Sequence, residues 1–200
     1  MSKGHIIYSS TIIQDVSLQC QSNSSAAMAY FYFDFNDSEK QSANRFLSSL
    51  IMQFSAQVPG SINTLSRFYS EHLKGIRQPA TDSLAEILKD IIAGLRHAYI
   101  IIDALDECTE RETLLDVIKQ IVAWKFDNLH ILATSRKEND IEECLNTRAS
   151  CQLDIHSALV EADIRLHIHD MVQNDSKLRR FPALVQEEIE TCLVAGAHGM

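Results

Sequence analysis

Short apolar runs and longer amphipathic segments alternate along this chain of 200 residues. The continuous apolar runs are typical of buried strands, and they cover residues 28–35, 99–103, 129–134 and 151–155. Apolar residues recur at helical spacing between them, at about 6–18, 43–54, 84–95, 114–122, 141–145 and 160–172, and again from Pro182 onwards. A weaker periodic segment covers residues 62–73. The pattern therefore predicts strands connected by helices.

Strands that alternate with helices indicate an α/β domain with a mostly parallel sheet. The run at residues 28–35 is aromatic or apolar at nearly every position, which predicts a strand inside the sheet. Pairs of residues with capping-box spacing predict where three of the helices begin, at Ser38/Gln41, Ser83/Glu86 and Thr109/Glu112.

The segment YIIIDALDEC, at residues 99–108, carries the strongest chemical signal in the chain. Asp103 ends the apolar run, and Asp106 and Glu107 follow in the loop, at the edge of a parallel sheet where ligands gather. Carboxylate oxygens suit Mg²⁺, which shares its coordination shell with substrate phosphates. A solvated, helix-capping loop is the alternative interpretation. A haloacid-dehalogenase-type phosphatase also begins with a strand that ends in Asp, but it needs a second Asp where Leu105 stands.

Composition narrows the function classes further. A net charge of −9 argues against nucleic acid or an anionic membrane surface as the main partner. The five cysteines have no metal-binding spacing, which is typical of reduced thiols in an intracellular protein. No signal peptide or membrane-spanning apolar stretch is visible, so a cytoplasmic location is expected.

Three motifs occur in a fixed order: YFYFDF at residues 30–35, IIIDALDEC at 100–108 and ILATSR at 131–136. As a set they resemble the NACHT-type nucleotide-binding domain of STAND-class NTPases. The resemblance is nearest to fungal NACHT proteins with nephrocystin-like N-terminal domains, which are often followed by ankyrin or WD40 repeats. It covers nearly the whole chain and implies a P-loop NTPase-like three-layer α/β sandwich.

The resemblance also implies roles for individual residues. Asp103 resembles the Walker B aspartate that holds Mg²⁺ through its water shell. Asp106 and Glu107 resemble the acidic pair of which one member orients or deprotonates the attacking water. Arg136 resembles the sensor arginine that touches the γ-phosphate, although a surface arginine is the simpler interpretation of that residue alone. The implied cofactor is Mg²⁺ with ATP or GTP, because phosphoryl transfer depends on positioning and charge neutralisation.

The P-loop of the family, G-x-x-x-x-G-K-[ST], is incomplete here. Gly4, His5 and Ile6 occupy the positions of Gly-Lys-Ser or Gly-Lys-Thr, so Gly4 is the single cofactor-binding residue that this motif predicts. The first strand of the family's sheet, which leads into the loop, is missing. The chain is therefore predicted to be one partial domain over residues 1–200. Its sheet core, 1–155, lacks the first strand, and residues 156–200 begin the C-terminal helical part.

Two functions follow from these observations. In the first, the chain derives from a slow NTPase switch in which Mg-bound ATP or GTP stabilises an assembled state. Protein partners or repeat domains outside this chain would then sense the signal. In the second, it is a non-binding pseudo-NTPase remnant without a cofactor that acts as a protein-interaction module. The altered P-loop favours the second function for this chain, the retained acids favour the first as the family role, and an oligomer is compatible with both.

Overall fold

The computed structural model describes residues 3–23, 25–58, 65–66, 79–153 and 158–197. Three strands and seven α-helices have bounds within these residues, and their alternation confirms the predicted α/β class. In chain order they are α1 (Lys3–Ser22), β1 (Ala26–Tyr32), α2 (Ala43–Gln57), α3 (Thr81–Ala93), β2 (His97–Asp103), α4 (Arg111–Ala123), β3 (Leu129–Ala133), α5 (Asn139–Leu145), α6 (Ala158–Asn174) and α7 (Ala183–Ala197). Short 3-10 turns lie at Ser38–Lys40, Leu105–Glu107 and Leu178–Arg180. Of the weakly periodic segment 62–73, only residues 65–66 are described.

The sheet is parallel and has the strand order β1-β2-β3. Tyr32 pairs with Asp103, and Ile102 pairs with Ala133, so the three strands end at the same edge of the sheet. The prediction that the first apolar run lies inside the sheet was wrong, because β1 is the edge strand among the described residues. Its side chains are apolar because helices cover both faces of the sheet. The run also starts two residues earlier than predicted and ends at Tyr32.

The core lies between one face of the sheet and helices α2, α3 and α4. Phe46 on α2 contacts two aromatic side chains from the β1 end of the sheet, with ring centroids 5.7 Å from Phe31 and 6.0 Å from Phe33. Phe33 and Phe46 are fully buried, and each such ring contributes about 1.5–3 kcal/mol by leaving water. Helix α1 contacts β1 and β2 on the opposite face. The predicted three-layer arrangement is therefore present.

The three predicted capping boxes were wrong, although the helices that follow them exist. Helix α2 is capped by Ser42, whose side chain accepts a hydrogen bond from the Arg45 N–H at 3.2 Å. Gln41 instead donates from Nε2 to the Asp34 carbonyl oxygen at 3.2 Å. The Thr109 hydroxyl donates to the Gln41 carbonyl oxygen at 3.2 Å. Gln41 and Thr109, which the local spacing assigned to helix caps, therefore form tertiary hydrogen bonds instead. Helix α3 begins at Thr81 without a side-chain cap.

The chain divides into two compact units, Met1–Arg148 and Ala149–Met200. The first unit holds the sheet and every predicted site residue. In the second, α6 and α7 are joined by a contact of 3.0 Å between His169 Nδ1 and Glu190 Oε1. Residues 151–153 of the predicted fourth strand form no strand, and residues 154–155 lie outside the described range. The predicted division of one partial domain after residue 155 stays a prediction.

Candidate functional site

Asp103 is the last residue of β2, and its carboxylate is buried at 3% exposure. The Ser9 hydroxyl, on α1, donates a hydrogen bond to Oδ1 of Asp103. The Thr134 hydroxyl, just after β3, donates to the same oxygen at 2.6 Å. Hydrogen bonds of this kind offset the cost of burying a charged group. We call this group of Asp103, Ser9 and Thr134 the carboxylate pocket.

Thr134 joins the ends of β2 and β3. Its hydroxyl accepts a hydrogen bond from the Ala104 N–H at 3.1 Å while it donates to Asp103. Its backbone N–H donates to the Ile102 carbonyl oxygen at 2.9 Å, and its carbonyl oxygen accepts from the Leu105 N–H at 3.0 Å. Four hydrogen bonds therefore fix the position of the Asp103 carboxylate relative to both strands.

The chain turns sharply immediately after Asp103. Ala104 has φ 54° and ψ 50°, in the left-handed region that residues with a Cβ rarely occupy. The 3-10 turn Leu105–Glu107 follows, and Leu105 is fully buried in the core. Leu105 is thus a packing residue, at the position where a haloacid-dehalogenase-type phosphatase would need its second aspartate. The turn places Asp106 and Glu107 beyond the end of the sheet.

Asp106 and Arg136 contact each other in two ways. The Arg136 N–H donates to Asp106 Oδ1 at 3.0 Å, and the Arg136 guanidinium Nε lies 3.6 Å from Asp106 Oδ2. The Asp106 side chain is 8% exposed, whereas that of Arg136 is 55% exposed. The Glu107 carboxylate accepts a hydrogen bond from the Phe35 N–H at 3.2 Å.

Arg111 at the start of α4 connects the same turn to the segment before α5. Its Nη2 donates to the Asp106 carbonyl oxygen at 3.2 Å. Its Nη1 lies 3.3 Å from Asp140 Oδ1 and 3.5 Å from Glu138 Oε2. Both arginines of this region are therefore already paired with carboxylates.

A cleft of about 680 Å³ lies among these residues, and we call it the acidic cleft. Four of its lining residues are acidic and two are basic, so its formal charge is negative. The lining residues are Phe35, Asp106, Glu107, Cys108, Thr109, Arg111, Arg136, Glu138 and Asp140. The structure thus brings three of the predicted site residues together, Asp106, Glu107 and Arg136, but Asp103 does not line the cleft.

Cys108 lines the acidic cleft but is itself buried. Burial raises the pKa of its thiol to about 11, although the nearby positive charge of Arg111 acts in the opposite direction. The thiol Sγ lies 3.1 Å from the Gln41 carbonyl oxygen and donates to it. A thiol in this environment remains protonated at neutral pH.

The metal prediction rests on Asp103 alone. Within the described ranges, no three His, Cys, Asp or Glu side chains converge to hold an ion. The groups around Asp103 are nevertheless all oxygen donors, namely one carboxylate and two hydroxyls, and Mg²⁺ requires such ligands. In chemical type, the donor set of the carboxylate pocket therefore fits Mg²⁺.

The sequence analysis missed Ser9, Thr134 and Arg111. Thr134 lies inside the motif ILATSR and Ser9 inside the first predicted helix. Hydroxyl residues are nevertheless too common to be recognised as partners of an acid 94 and 31 residues away. Gly4, the predicted cofactor-binding residue, falls in the first turn of α1, whose bounds are Lys3–Ser22. Its environment lies outside the described side chains.

Comparison with known proteins supports the family resemblance. Residues 2–136 match the family described as Nephrocystin 3, N-terminal. The chain is also 27% identical over 180 residues to the vegetative incompatibility protein HET-E-1 of Podospora anserina. That alignment covers 86% of this chain but 13% of the relative, so the chain spans a small part of the relative's length. No solved structure matches the chain significantly. Among the described residues, no helix is both long enough and apolar enough to cross a bilayer.

Proposed function

Because the chain belongs to the nephrocystin 3 N-terminal family, we propose that it is the acid-bearing part of a Mg-nucleotide-dependent signalling switch. The observation that carries this proposal is the position of the acids. Asp103 ends a central parallel strand, and Asp106, Glu107 and Arg136 line a cleft just beyond that end. Ligands of open α/β sheets bind at this edge.

The residues of the two regions have complementary roles in this proposal. Asp103, with the hydroxyls of Ser9 and Thr134, would hold Mg²⁺ by oxygen contacts, directly or through water. The ion would neutralise charge on the phosphates of ATP or GTP. Arg136 would contact the terminal phosphate with its guanidinium, which is half-exposed and only loosely paired with Asp106 at 3.6 Å. Its backbone bond to Asp106 would keep the loop in place while the side chain moves.

The acidic pair would act on water. Asp106 and Glu107 are the candidates for orienting or deprotonating a water molecule that attacks the terminal phosphate. Both carboxylates already accept hydrogen bonds from backbone N–H groups, at Arg136 and Phe35. These contacts hold the two carboxylates in fixed orientations. Slow hydrolysis would suit a switch, whose state persists while the nucleotide is bound.

Titration of the purified chain with fluorescent ATP and GTP analogues, with and without Mg²⁺, tests the proposal. We expect saturable binding in the micromolar range that requires Mg²⁺ and is lost in Asp103→Asn. Asp116→Asn is the matched control, because Asp116 is an exposed carboxylate on α4 that pairs with Lys119 at 2.7 Å. Saturable binding that persists unchanged in Asp103→Asn would contradict the assignment of Asp103.

A second function is favoured by a specific observation. Each predicted acid already has a partner within the chain: Asp103 has two hydroxyls, Asp106 has Arg136, and Glu107 has the Phe35 amide. His5 and Ile6 also replace the lysine and hydroxyl residue that a P-loop requires. A non-binding pseudo-NTPase that serves as a protein-interaction module has these properties.

Thermal unfolding separates the two functions. A ligand at about 100 times its dissociation constant stabilises the folded state by roughly 2.7 kcal/mol. The switch therefore predicts a higher melting temperature with Mg-ATP or Mg-GTP, and the pseudo-NTPase predicts no change.

The partners would be proteins or repeat domains outside this chain in either case. The five free cysteines support a reducing, cytoplasmic setting.

A further inference from the structure

The outer edge of β1 presents backbone groups that no neighbouring strand satisfies among the described residues. In a parallel pair, alternate residues of an edge strand bond to the neighbouring strand and the others point outward. The Phe33 N–H, just after β1, donates to the Asp103 carbonyl oxygen at 3.0 Å. By alternation, the odd-numbered residues of β1 direct their backbone N–H and C=O groups towards β2. Met28 and Tyr30 therefore turn their N–H and C=O groups away from the sheet.

Two glutamine side chains on α2 satisfy these outward groups. Gln57 accepts from the Met28 N–H at 3.1 Å and donates to the Met28 carbonyl oxygen at 2.7 Å. Gln53 accepts from the Tyr30 N–H at 3.1 Å and donates to the Tyr30 carbonyl oxygen at 2.7 Å. A primary amide carries one acceptor and two donors on neighbouring atoms, so it can bond to a peptide unit as another strand would.

The spacing of the two glutamines explains why both can reach the strand. They lie four residues apart on a helix, a rise of about 6.0 Å. Met28 and Tyr30 lie two residues apart on a strand, a rise of about 6.6 Å. The two repeats match closely when the helix runs antiparallel beside the strand, and the pairing of Gln57 with Met28 and Gln53 with Tyr30 has this direction.

Further hydrogen bonds hold the amides in place. Gln57 Nε2 also donates to the Gln53 carbonyl oxygen at 2.8 Å. Gln53 Nε2 also donates to the Ser49 hydroxyl oxygen at 3.0 Å. These bonds within α2 already restrict the rotamers of both glutamines. Less side-chain entropy is therefore lost when the glutamines bond to β1.

From these contacts we infer that Gln53 and Gln57 form a side-chain strand that closes the β1 edge against strand addition. An unprotected edge strand is a template for pairing with another chain, and proteins usually cover or charge such edges. The closure is specific to one edge. At the other edge, the Thr134 N–H donates to the Ile102 carbonyl oxygen, so the backbone N–H and C=O groups of Ile131 and Ala133 on β3 point away from β2. Among the described residues, no side chain hydrogen-bonds to these outward groups as the glutamines do at β1. The inference does not depend on nucleotide binding.

Amide hydrogen exchange of the 200-residue chain, measured residue by residue by NMR, tests the inference directly. The Met28 and Tyr30 amides should exchange slowly, although they lie on an edge strand. In the double variant Gln53→Met/Gln57→Met both amides should exchange faster by about tenfold, the effect of losing a hydrogen bond. The Ile100 and Ile102 amides of β2 report global stability in the same samples, so a loss of fold is distinguished from a local effect.

Two further variants sharpen the result. Gln14→Met/Gln19→Met changes composition identically at exposed positions of α1 and should leave exchange at Met28 and Tyr30 unchanged. Gln53→Glu/Gln57→Glu keeps the acceptor oxygens but loses the donors, so it should retain amide protection while uncovering the carbonyls. The Met variant should also self-associate with rising concentration in analytical ultracentrifugation. Equal exchange of the Met28 and Tyr30 amides in the wild-type chain and the Met variant would overturn the inference.

Discussion

Asp103 and Asp106 stand three residues apart but belong to two different regions of the molecule. The carboxylate pocket is closed, because Asp103 is 3% exposed and its Oδ1 accepts hydrogen bonds from two hydroxyls. One hydroxyl lies on α1 and the other just after β3. The acidic cleft is open, with a volume of about 680 Å³ and a half-exposed arginine at its wall. Ala104, in a left-handed conformation, and the buried Leu105 lie between the two acids.

The difference between the regions indicates that one contributes mainly to stability and the other mainly to ligand contacts. The carboxylate pocket ties together segments that are distant in sequence, so its polar contacts should contribute mainly to stability. The acidic cleft holds charges near solvent, where ion pairs contribute little to folding but can exchange partners with a ligand. Substitutions should therefore lower stability when they fall in the pocket and leave it nearly unchanged when they fall in the cleft.

The largest effect is expected from Asp103→Ala. The change removes a buried acceptor and leaves the Ser9 and Thr134 hydroxyls without it, which costs about 2–4 kcal/mol in the free energy of unfolding. Asp106→Ala should cost less, about 0.5–1.5 kcal/mol, although the Asp106 side chain is 8% exposed. Its partner Arg136 is 55% exposed, so the guanidinium and the N–H that lose the carboxylate can bond to water instead. Urea unfolding followed by circular dichroism measures both values. Equal losses for the two variants would remove the distinction between the regions.

The second prediction concerns the thiol at the wall of the acidic cleft. Burial raises the pKa of Cys108 from 9.0 to about 11, so at pH 8 its thiolate fraction should be roughly a hundredfold below that of an ordinary cysteine. Cys151 and Cys192 are exposed and should react first with a thiolate-selective reagent. The labelling rate at Cys108 should rise as pH increases from 9 towards 11, because with the raised pKa the thiolate forms only at higher pH.

Mass spectrometry after timed labelling locates the modified cysteine. Cys108→Ser provides the control, since it should remove the labelled Cys108 peptide and leave labelling of the other four cysteines unchanged. Rapid labelling of Cys108 at pH 8 would mean that the cleft is more open around this side chain than its 4% exposure indicates.

Thr134→Val should have an intermediate effect. Valine keeps the shape of threonine but removes the hydroxyl that donates to Asp103 and accepts from the Ala104 N–H. We expect a loss of about 1–3 kcal/mol in the free energy of unfolding. Thr134→Ser keeps the hydroxyl and should remain close to the wild-type chain. A valine variant as stable as the wild-type chain would contradict the stabilising role of the Thr134 hydroxyl.

The sequence predicted those parts of this comparison that depend on local pattern. The apolar run that ends abruptly at Asp103 placed this acid at the end of a buried strand, and the alternation of elements indicated the α/β class. Asp106, Glu107 and Arg136 were selected by the family resemblance, and the structure adds that they line one cleft.

The remaining features depend on contacts between distant residues. No local pattern indicates that Ser9 bonds to Asp103. The cap of α2 is Ser42 and not Ser38, because Gln41 is engaged with the loop after β1. The apolar run of β1 could not reveal an edge strand, since the groups that close that edge are Gln53 and Gln57 on another element.

The smallest effect is expected at Ala104, in the turn between the two regions. Ala104 has φ 54°, and a left-handed conformation costs a residue with a Cβ about 1–2 kcal/mol. Glycine relieves this strain but loses more backbone entropy on folding, so Ala104→Gly should stabilise the chain by roughly 0.5–1 kcal/mol. Lys125→Gly is the matched control, because Lys125 has φ 53° at a position outside both regions. Urea unfolding should give similar gains for the two variants. A loss of stability in Ala104→Gly alone would mean that the Ala104 methyl group, and not only its backbone, holds the turn between the pocket and the cleft.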